Sequence, residues 1–243
     1  MLQNLRELYG HKLTASDGDI GAVKDFYFDD QTWVVRYLVA ETGSWLTGRL
    51  VLLSPHAFGS FDLLAKVLRI NLTRKQIENS PPTESHRTVS RQYECDYFRY
   101  YGWPAYWEGS ALWGIGGYPA FPSRPSAEME SRVQYHHRND KHLRSLRAVT
   151  GYAIHATDGA IGKVSSLLVC AKSWAIRELV VETGRWNSGK EILISPNLVE
   201  RISYEESTVF ANLTMSDIEW PQQNQDSHAG AEMSHEYNQQ RKT

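Results

Sequence analysis

This 243-residue sequence contains few cysteines and has a small net charge. The two cysteines, Cys95 and Cys170, do not form a motif with each other, which predicts a reducing compartment rather than a disulfide framework. The formal net charge is -2. No basic stripe favours nucleic acid, so the composition argues against a nucleic-acid partner.

Long apolar runs are also missing. No window approaches the roughly 18 apolar residues of a membrane-spanning helix. The first twelve residues contain no apolar stretch of signal-peptide length. We therefore expect a soluble, cytoplasmic protein with no transmembrane segment.

Recognisable catalytic motifs are lacking as well. No serine lies in a Gly-x-Ser-x-Gly elbow, and neither cysteine has a repeated histidine beside it. The histidines of 136–142 and 222–243 lack the ligand spacing of a tetrahedral metal site. The glycines of 114–117 are not followed by the helical run of a nucleotide-binding motif. The sequence therefore predicts a non-enzymatic protein with no catalytic residues, no metal and no cofactor.

What the chain does contain is nearly the same segment twice. Residues Leu2 to Glu78, the first copy, align without a gap onto Leu143 to Glu219, the second copy. The offset is constant at 141 positions, as between Asp17 and Asp158. A repeat this long makes each copy a folding unit. Each has only about 77 residues, near the lower limit for an independent core, so we expect the copies to dock on each other or on a second chain.

Within each copy the apolar pattern has the period of β-strands. Residues 22–29 alternate apolar and polar side chains, and residues 33–40 are rich in β-branched and aromatic residues. The polar residues 29–32 indicate a hairpin turn. Thr73 with Gln76 fits a helix capping box, and so nearly does the same site in the second copy. Five or six short strands closed by one helical turn predict a small β-barrel.

These patterns divide the chain into four parts. We expect one domain at 1–80, a linker at 81–142, a second domain at 143–221 and a disordered polar tail at 222–243. The linker is rich in glycine and proline, which predicts no long regular elements there. It is also too aromatic for a flexible tether. It therefore either packs on the barrels or forms a binding site.

A residue pattern in each copy resembles that of a known family. In the first copy the pattern is Gly10, Asp17-Gly18, Ile20-Gly21, Val23, Asp25, Trp33, Arg36, Leu38-Val39, Thr42-Gly43-x-Trp45, Arg49, Val51-Leu52 and Ser54-Pro55. This pattern resembles the PRC-barrel domain, the β-barrel module of the H subunit of photosynthetic reaction centres and of the C-terminus of the small-subunit ribosome-maturation factor. The second copy is similar, and residues 100–107 resemble the linker of bacterial two-barrel members.

The resemblance implies a mainly β fold of two tandem small PRC-type β-barrels joined by an irregular, aromatic linker. The family's barrels serve as docking and assembly modules. It therefore implies a protein-interaction or assembly role, including docking on a membrane, photosynthetic or electron-transfer complex. The alternatives are an RNA-associated or ribosome-assembly module and a small-ligand-binding barrel. The identity of the protein partner stays open, as do intramolecular barrel pairing and a homodimer.

Five aromatic residues are candidate interaction residues. Trp45 and Trp186 occupy the repeated Thr-Gly-x-Trp loop, where each tryptophan either plugs a barrel end or anchors a partner. Trp103, Tyr106 and Trp107 belong to the aromatic linker and are candidates for the same reason.

The repeated charged residues have a structural interpretation. Asp17 and its repeat precede glycine, which favours a turn in which the aspartate bonds its own backbone. Arg36 and Glu41 lie on one strand at odd separation and should face opposite sides. We expect each to form a salt bridge to a neighbouring strand rather than to act as an acid or base.

Overall fold

A computed structural model describes residues 1–62, 64–81, 89–104, 142–183 and 190–218. The protein is mainly β, with two seven-stranded sheets, each built mostly from one copy. The predictions for the rest of the linker and for the polar tail lie outside the described residues.

The first sheet contains the strands β2 (Lys12–Ala15), β3 (Gly18–Asp29), β4 (Val34–Glu41), β5 (Leu50–Leu53), β6 (Phe58–Asp62) and β7 (Val67–Ile70). Their order is β5-β4-β3-β2-β7-β6, with β2 and β7 parallel and the other neighbours antiparallel. A short helix, α1 (Arg74–Glu78), follows β7 and begins with the predicted Thr73–Gln76 capping box.

The second sheet contains the strands β9 (Ala153–Ala156), β10 (Gly159–Cys170), β11 (Ile176–Thr183), β12 (Glu191–Ile194), β13 (Val199–Ser203) and β14 (Thr208–Ala211). It repeats the first topology in the order β12-β11-β10-β9-β14-β13, again with one parallel pair, β9 and β14. A helical turn, α3 (Leu146–Val149), precedes it, and a single 3-10 turn (Met215–Asp217) replaces α1.

The two sheets have the same register. Ala22 pairs with Glu41 in the first, and the equivalent Lys163 pairs with Glu182 in the second. Each long strand also carries a bulge at the same place, after Val23 in β3 and after Val164 in β10. Matching core and turn positions therefore impose matching pairings, because a slip of one residue would turn the core face to solvent.

Each copy gives its first strand to the sheet of the other. Strand β1 (Leu2–Asn4) pairs with β10, and β8 (Leu143–Ser145) pairs with β3. Leu2 lies opposite Cys170, and the equivalent Leu143 lies opposite Asp29. The exchange is reciprocal, so the two copies dock on each other within one chain.

A pseudo-two-fold axis passes between Val34 and Ala175, which are equivalent residues joined by an isolated β-bridge. On one side the Val35 N–H donates to the Trp174 carbonyl at 2.9 Å, and on the other the Ile176 N–H donates to the Trp33 carbonyl at 2.7 Å. The sequence predicted that strand β4 starts at Trp33, and this is wrong by one residue. Trp33 has a φ of 53° and closes the hairpin turn, as Trp174 does with a φ of 56°.

The hydrophobic core runs across this junction. The Trp174 ring of the second copy lies 4.7 Å from the Phe58 ring and 6.2 Å from the Phe26 ring of the first copy. Buried residues of both copies form one continuous cluster around it. Trp174 therefore belongs to the core of the copy that does not contain it.

The linker contains a regular helix, α2 (Arg91–Tyr101), where the sequence predicted no long element. Ser90 accepts the Tyr93 N–H and caps its start, and Gly102, with a φ of 68°, ends it. The prediction failed because the glycines and prolines that motivated it lie after this stretch, and residues 91–101 contain neither.

The pairing between described strands runs from β5 to β6 and from β12 to β13, and it includes no ladder between the two end strands of either sheet. The mainly β prediction is confirmed at the level of two sheets. Closure of each sheet into a PRC-type barrel stays a prediction.

The reciprocal exchange predicts that the halves stay together after the chain is cut. A protease site inserted between residues 105 and 141 and then cleaved should leave two fragments that co-elute in size-exclusion chromatography. The reason is that β1, β8 and Trp174 hold each half to the other through backbone pairing and core packing. Fragments that separate without denaturant would contradict the reciprocal exchange of β1 and β8.

Candidate functional site

Trp45 is built into the structure by three contacts. Its Nε1 donates to the Ile20 carbonyl at 2.7 Å, and the Arg74 guanidinium lies 4.6 Å from the centre of its ring. The half-buried indole also packs against the hydrophobic core. These contacts support the plug interpretation, and the exposed part of the ring leaves the interface interpretation open.

The other predicted interaction residues divide into two groups. Trp103 lies at the end of α2 and is half-buried. Trp186, Tyr106 and Trp107 lie outside the described residues.

Asp17 and Asp158 form an unexpected capping contact. The Asp17 carboxylate accepts the Arg74 N–H at 2.7 Å, and the Asp158 carboxylate accepts the equivalent Met215 N–H at 2.9 Å. The sequence predicted a bond to the aspartate's own turn. Instead each aspartate ties its hairpin turn to the start of the helical turn that follows the last strand. The role is structural in both copies.

Gly21 is repeated because the backbone of the next strand leaves no room for a side chain. A Cβ on Gly21 would lie 2.0 Å from the Glu41 carbonyl oxygen, and one on Gly162 would lie 2.2 Å from that of Glu182. Any other residue would push the paired strands apart. This steric constraint accounts for one further shared position, Gly21 and Gly162, without catalysis.

The salt-bridge prediction is confirmed in the first copy. Arg36 Nη2 lies 3.2 Å from an Asp29 carboxylate oxygen in the buried part of the β3–β4 hairpin. Glu41 pairs with Lys24 at 3.1 Å on the exposed side. In the second copy Cys170 takes the place of Asp29, and hydrogen bonds from Ser173 and the nearby backbone lower the pKa of its thiol to about 7.

Helix α2 covers the outer face of β4 and β5. Tyr97 is fully buried there, and its hydroxyl donates to the Leu52 carbonyl and accepts the Ser54 N–H, both at 3.0 Å. The Tyr37 hydroxyl donates to the buried Glu94 carboxylate at 2.9 Å. Burial raises the pKa of Tyr97 well above its ordinary value. Tyr97 and Phe98 of this helix are therefore buried against the sheet, whereas Tyr100 is exposed.

A cavity of about 410 Å³ opens where the end of α2 meets the first copy. The Trp103 and Tyr101 rings stack at 4.5 Å with an interplanar angle of 14°, and the His56 ring stacks on Trp103 at 5.6 Å. Burial lowers the pKa of His56, which favours its neutral form. The lining residues are His56, Asn71, Leu72, Gln76, Tyr100, Tyr101 and Trp103. We call this space the aromatic cavity.

Asp25 is a buried carboxylate at the junction of the copies. One oxygen accepts the Ser145 hydroxyl at 2.5 Å, and the other accepts the backbone N–H groups of Phe26 at 2.8 Å and Arg147 at 3.0 Å. Burial raises the pKa of Asp25, and these hydrogen bonds partly oppose the rise. The carboxylate thus anchors the start of the second copy to β3.

The equivalent contact in the second copy uses neutral groups. Ser166, the equivalent of Asp25, lies 2.5 Å from the Asn4 side-chain oxygen, and its hydroxyl accepts the Arg6 N–H at 3.1 Å. The sequence did not single out Asp25 as a site. The sequence signal that could have identified it is the difference between Asp25 and Ser166, which occupy equivalent positions in the two copies.

Comparison with protein-family models finds no match for this chain, and comparison with curated proteins finds none either. In the described part of the chain, His, Cys, Asp and Glu side chains do not gather in groups of three or more that could hold a metal ion. None of the helices there has the length and apolar character needed to cross a membrane.

The plug interpretation predicts a stability loss for Trp45→Ala. Removing the indole should lower the free energy of unfolding by about 3 kcal/mol, because its core contacts disappear. Trp45→Phe keeps a ring but loses the bond to Ile20, which should cost about 1 kcal/mol. Urea unfolding checks both. Native-like unfolding of the alanine variant would favour the partner-anchor role instead.

Asp25 predicts a pH-dependent part of the stability. Because its folded pKa is raised, the folded state binds this proton more tightly than the unfolded state does. The stabilisation is therefore present below the unfolded pKa of about 3.9 and is lost as pH rises through the folded pKa. Asp25→Asn should abolish this loss in urea unfolding measured from pH 4 to 7.

Asp19→Asn is the matched control on the same strand. The pKa of this exposed carboxyl is lowered, first by its bond with Lys12, so its substitution should change the pH dependence in the opposite direction. If the free energy of unfolding of Asp25→Asn changes with pH in the same way as that of the native protein, the titration of Asp25 does not contribute to stability.

Proposed function

We propose that this chain is a non-enzymatic PRC-barrel protein that works as an assembly module, binding a protein partner on the outer face of its second sheet. The observation that carries the proposal is a difference between two equivalent surfaces. Helix α2 covers the outer face of β4 and β5, and Leu52 there is 4% exposed. The equivalent Leu193 on β12 is 56% exposed.

Leu193 is the exposed apolar residue of this surface, and glutamates lie around it. Val180, which is 3% exposed, lies opposite Leu193, and Glu191 lies opposite Glu182 on the same face. Glu178, two residues before Val180, replaces the buried Tyr37 of the first copy. We call this set of five residues the β11–β12 face.

The chemistry of the β11–β12 face identifies the kind of partner. Its counterpart in the first copy binds an amphipathic helix through tyrosine and phenylalanine, so the same sheet geometry fits a helix with an aromatic stripe. Three glutamates belong to the face, while Lys163 opposite Glu182 and Arg6, which donates to Ser165 beside Glu191, supply two positive charges. The excess of negative charge favours a partner helix whose aromatic stripe is flanked by lysine or arginine.

The repeated residues support an assembly role rather than chemistry. Asp17 and Asp158 cap helical turns, Gly21 and Gly162 admit the neighbouring strand, and Arg36 is paired with Asp29. These shared residues thus serve the fold, while the outer face of the sheet differs between the copies, with Tyr37 in the first and Glu178 in the second.

The proposal is tested with Leu193→Asp in the full chain. The probe is a synthetic helix that carries tyrosine and phenylalanine at the spacing of α2, with lysines on both sides of the stripe. Native protein should bind it saturably, and Leu193→Asp should weaken binding at least tenfold because a carboxylate would replace the apolar centre. Fluorescence anisotropy of the labelled helix gives the Kd.

Leu64→Ser is the matched control, since Leu64 is 98% exposed but does not belong to this face. It should bind like the native protein. Equal binding by the native and Leu193→Asp proteins, or no binding by the native protein, would overturn the proposal. Protein capture from the source cells counts in its favour only where Leu193→Asp abolishes the capture and Leu64→Ser does not.

A further inference from the structure

The aromatic cavity of the first copy combines repeated and unrepeated elements. Its floor comes from repeated elements, through Asn71, Leu72 and Gln76, but its aromatic wall comes from α2, which lies outside the repeat. The volume of about 410 Å³ falls in the range of small-molecule sites. The cavity is therefore a feature added to a shared scaffold.

The described lining residues carry no formal charge at neutral pH. They include no Asp, Glu, Lys or Arg, and partial burial of the His56 ring favours its neutral form. An anion would meet no cationic side chain in this lining, and an amine would meet no carboxylate. The cavity is suited to a neutral ligand.

Two side-chain amides, those of Gln76 and Asn71, belong to the lining. Gln76 uses Oε1 to accept the Thr73 N–H at 2.8 Å and hydroxyl at 3.0 Å, while no described hydrogen bond uses its Nε2 group. Asn71 donates to the Phe58 carbonyl at 3.4 Å, and no described bond uses its side-chain oxygen. The Tyr100 and Tyr101 hydroxyls donate to the Gln76 backbone carbonyl at 3.0 and 3.4 Å, and the rings of Tyr101 and Trp103 belong to the same lining. The cavity thus offers an amide donor and acceptor together with aromatic rings.

We propose that the aromatic cavity binds a neutral cyclic molecule that has a hydrogen-bonding edge. The edge meets the amides of Gln76 and Asn71, and the body of the ring contacts Tyr101 and Trp103. Monosaccharides and nucleobases share this chemistry. This site is separate from the β11–β12 face and stands whether or not a partner binds there.

The test uses the full chain with two kinds of probe, glucose and galactose as sugars and adenine and uracil as bases. Ligand-observed saturation-transfer NMR and tryptophan fluorescence titration should show saturable binding of at least one kind, and that kind identifies the source of the ligand. Inorganic phosphate should not bind.

Gln76→Glu removes the amide donor without removing the helix cap. The second copy shows that a carboxylate serves in the same capping box, because Asp217 accepts the Thr214 N–H at 2.8 Å and hydroxyl at 2.7 Å. Gln76→Glu should therefore keep the native Tm and lose at least tenfold in affinity. Asn71→Ala should also weaken binding, and its matched control in the second copy, Asn212→Ala, should not.

Two results would overturn the proposal. One is the absence of saturable binding by all four probes. The other is unchanged affinity in folded Gln76→Glu and Asn71→Ala proteins, which would place the ligand elsewhere.

Discussion

The seam between the copies exists because β3 and β10 are longer than the strands beside them. Strand β2 pairs only with residues 18–22 of β3, so the far half of β3 would have one edge without backbone partners. Strand β8 fills that edge opposite residues 27–29, and β1 does the same for β10. Unpaired backbone groups in a buried edge are costly, so completing both edges couples the two copies.

The rest of the architecture follows from this coupling. Once β1 and β8 are exchanged, Val34 and Ala175 meet on the axis and Trp174 enters the core beside Phe26 and Phe58. The start of the second copy must then lie on β3, which places Ser145 next to the Asp25 carboxylate. The junction is thus held by backbone pairing, ring packing and a buried polar contact together.

Local features of the fold could be read from the sequence, whereas contacts between distant segments could not. The repeat predicted two equivalent folding units, and Thr73 with Gln76 predicted a cap that the structure contains. The exchanged strands have three residues each, too few to show a period. The bond from Asp17 to the Arg74 N–H spans most of a copy, so no local pattern reveals it. Of the proposed sites, the sequence indicated only the aromatic character of Trp103, since the amides that complete its cavity are far away along the chain.

Because the two copies lie in one chain, a substitution can alter the surface of one copy without altering the equivalent surface of the other. In a symmetric homodimer every change appears on both subunits, so a surface cannot be altered on one side alone. Here Tyr37 lies under a helix while its counterpart Glu178 is half-buried on the face that contains the exposed Leu193, and each can change without the other. The covalent link also keeps the halves at a high effective concentration, so the pair persists on dilution. A two-fold frame in a single chain can therefore carry two different surfaces.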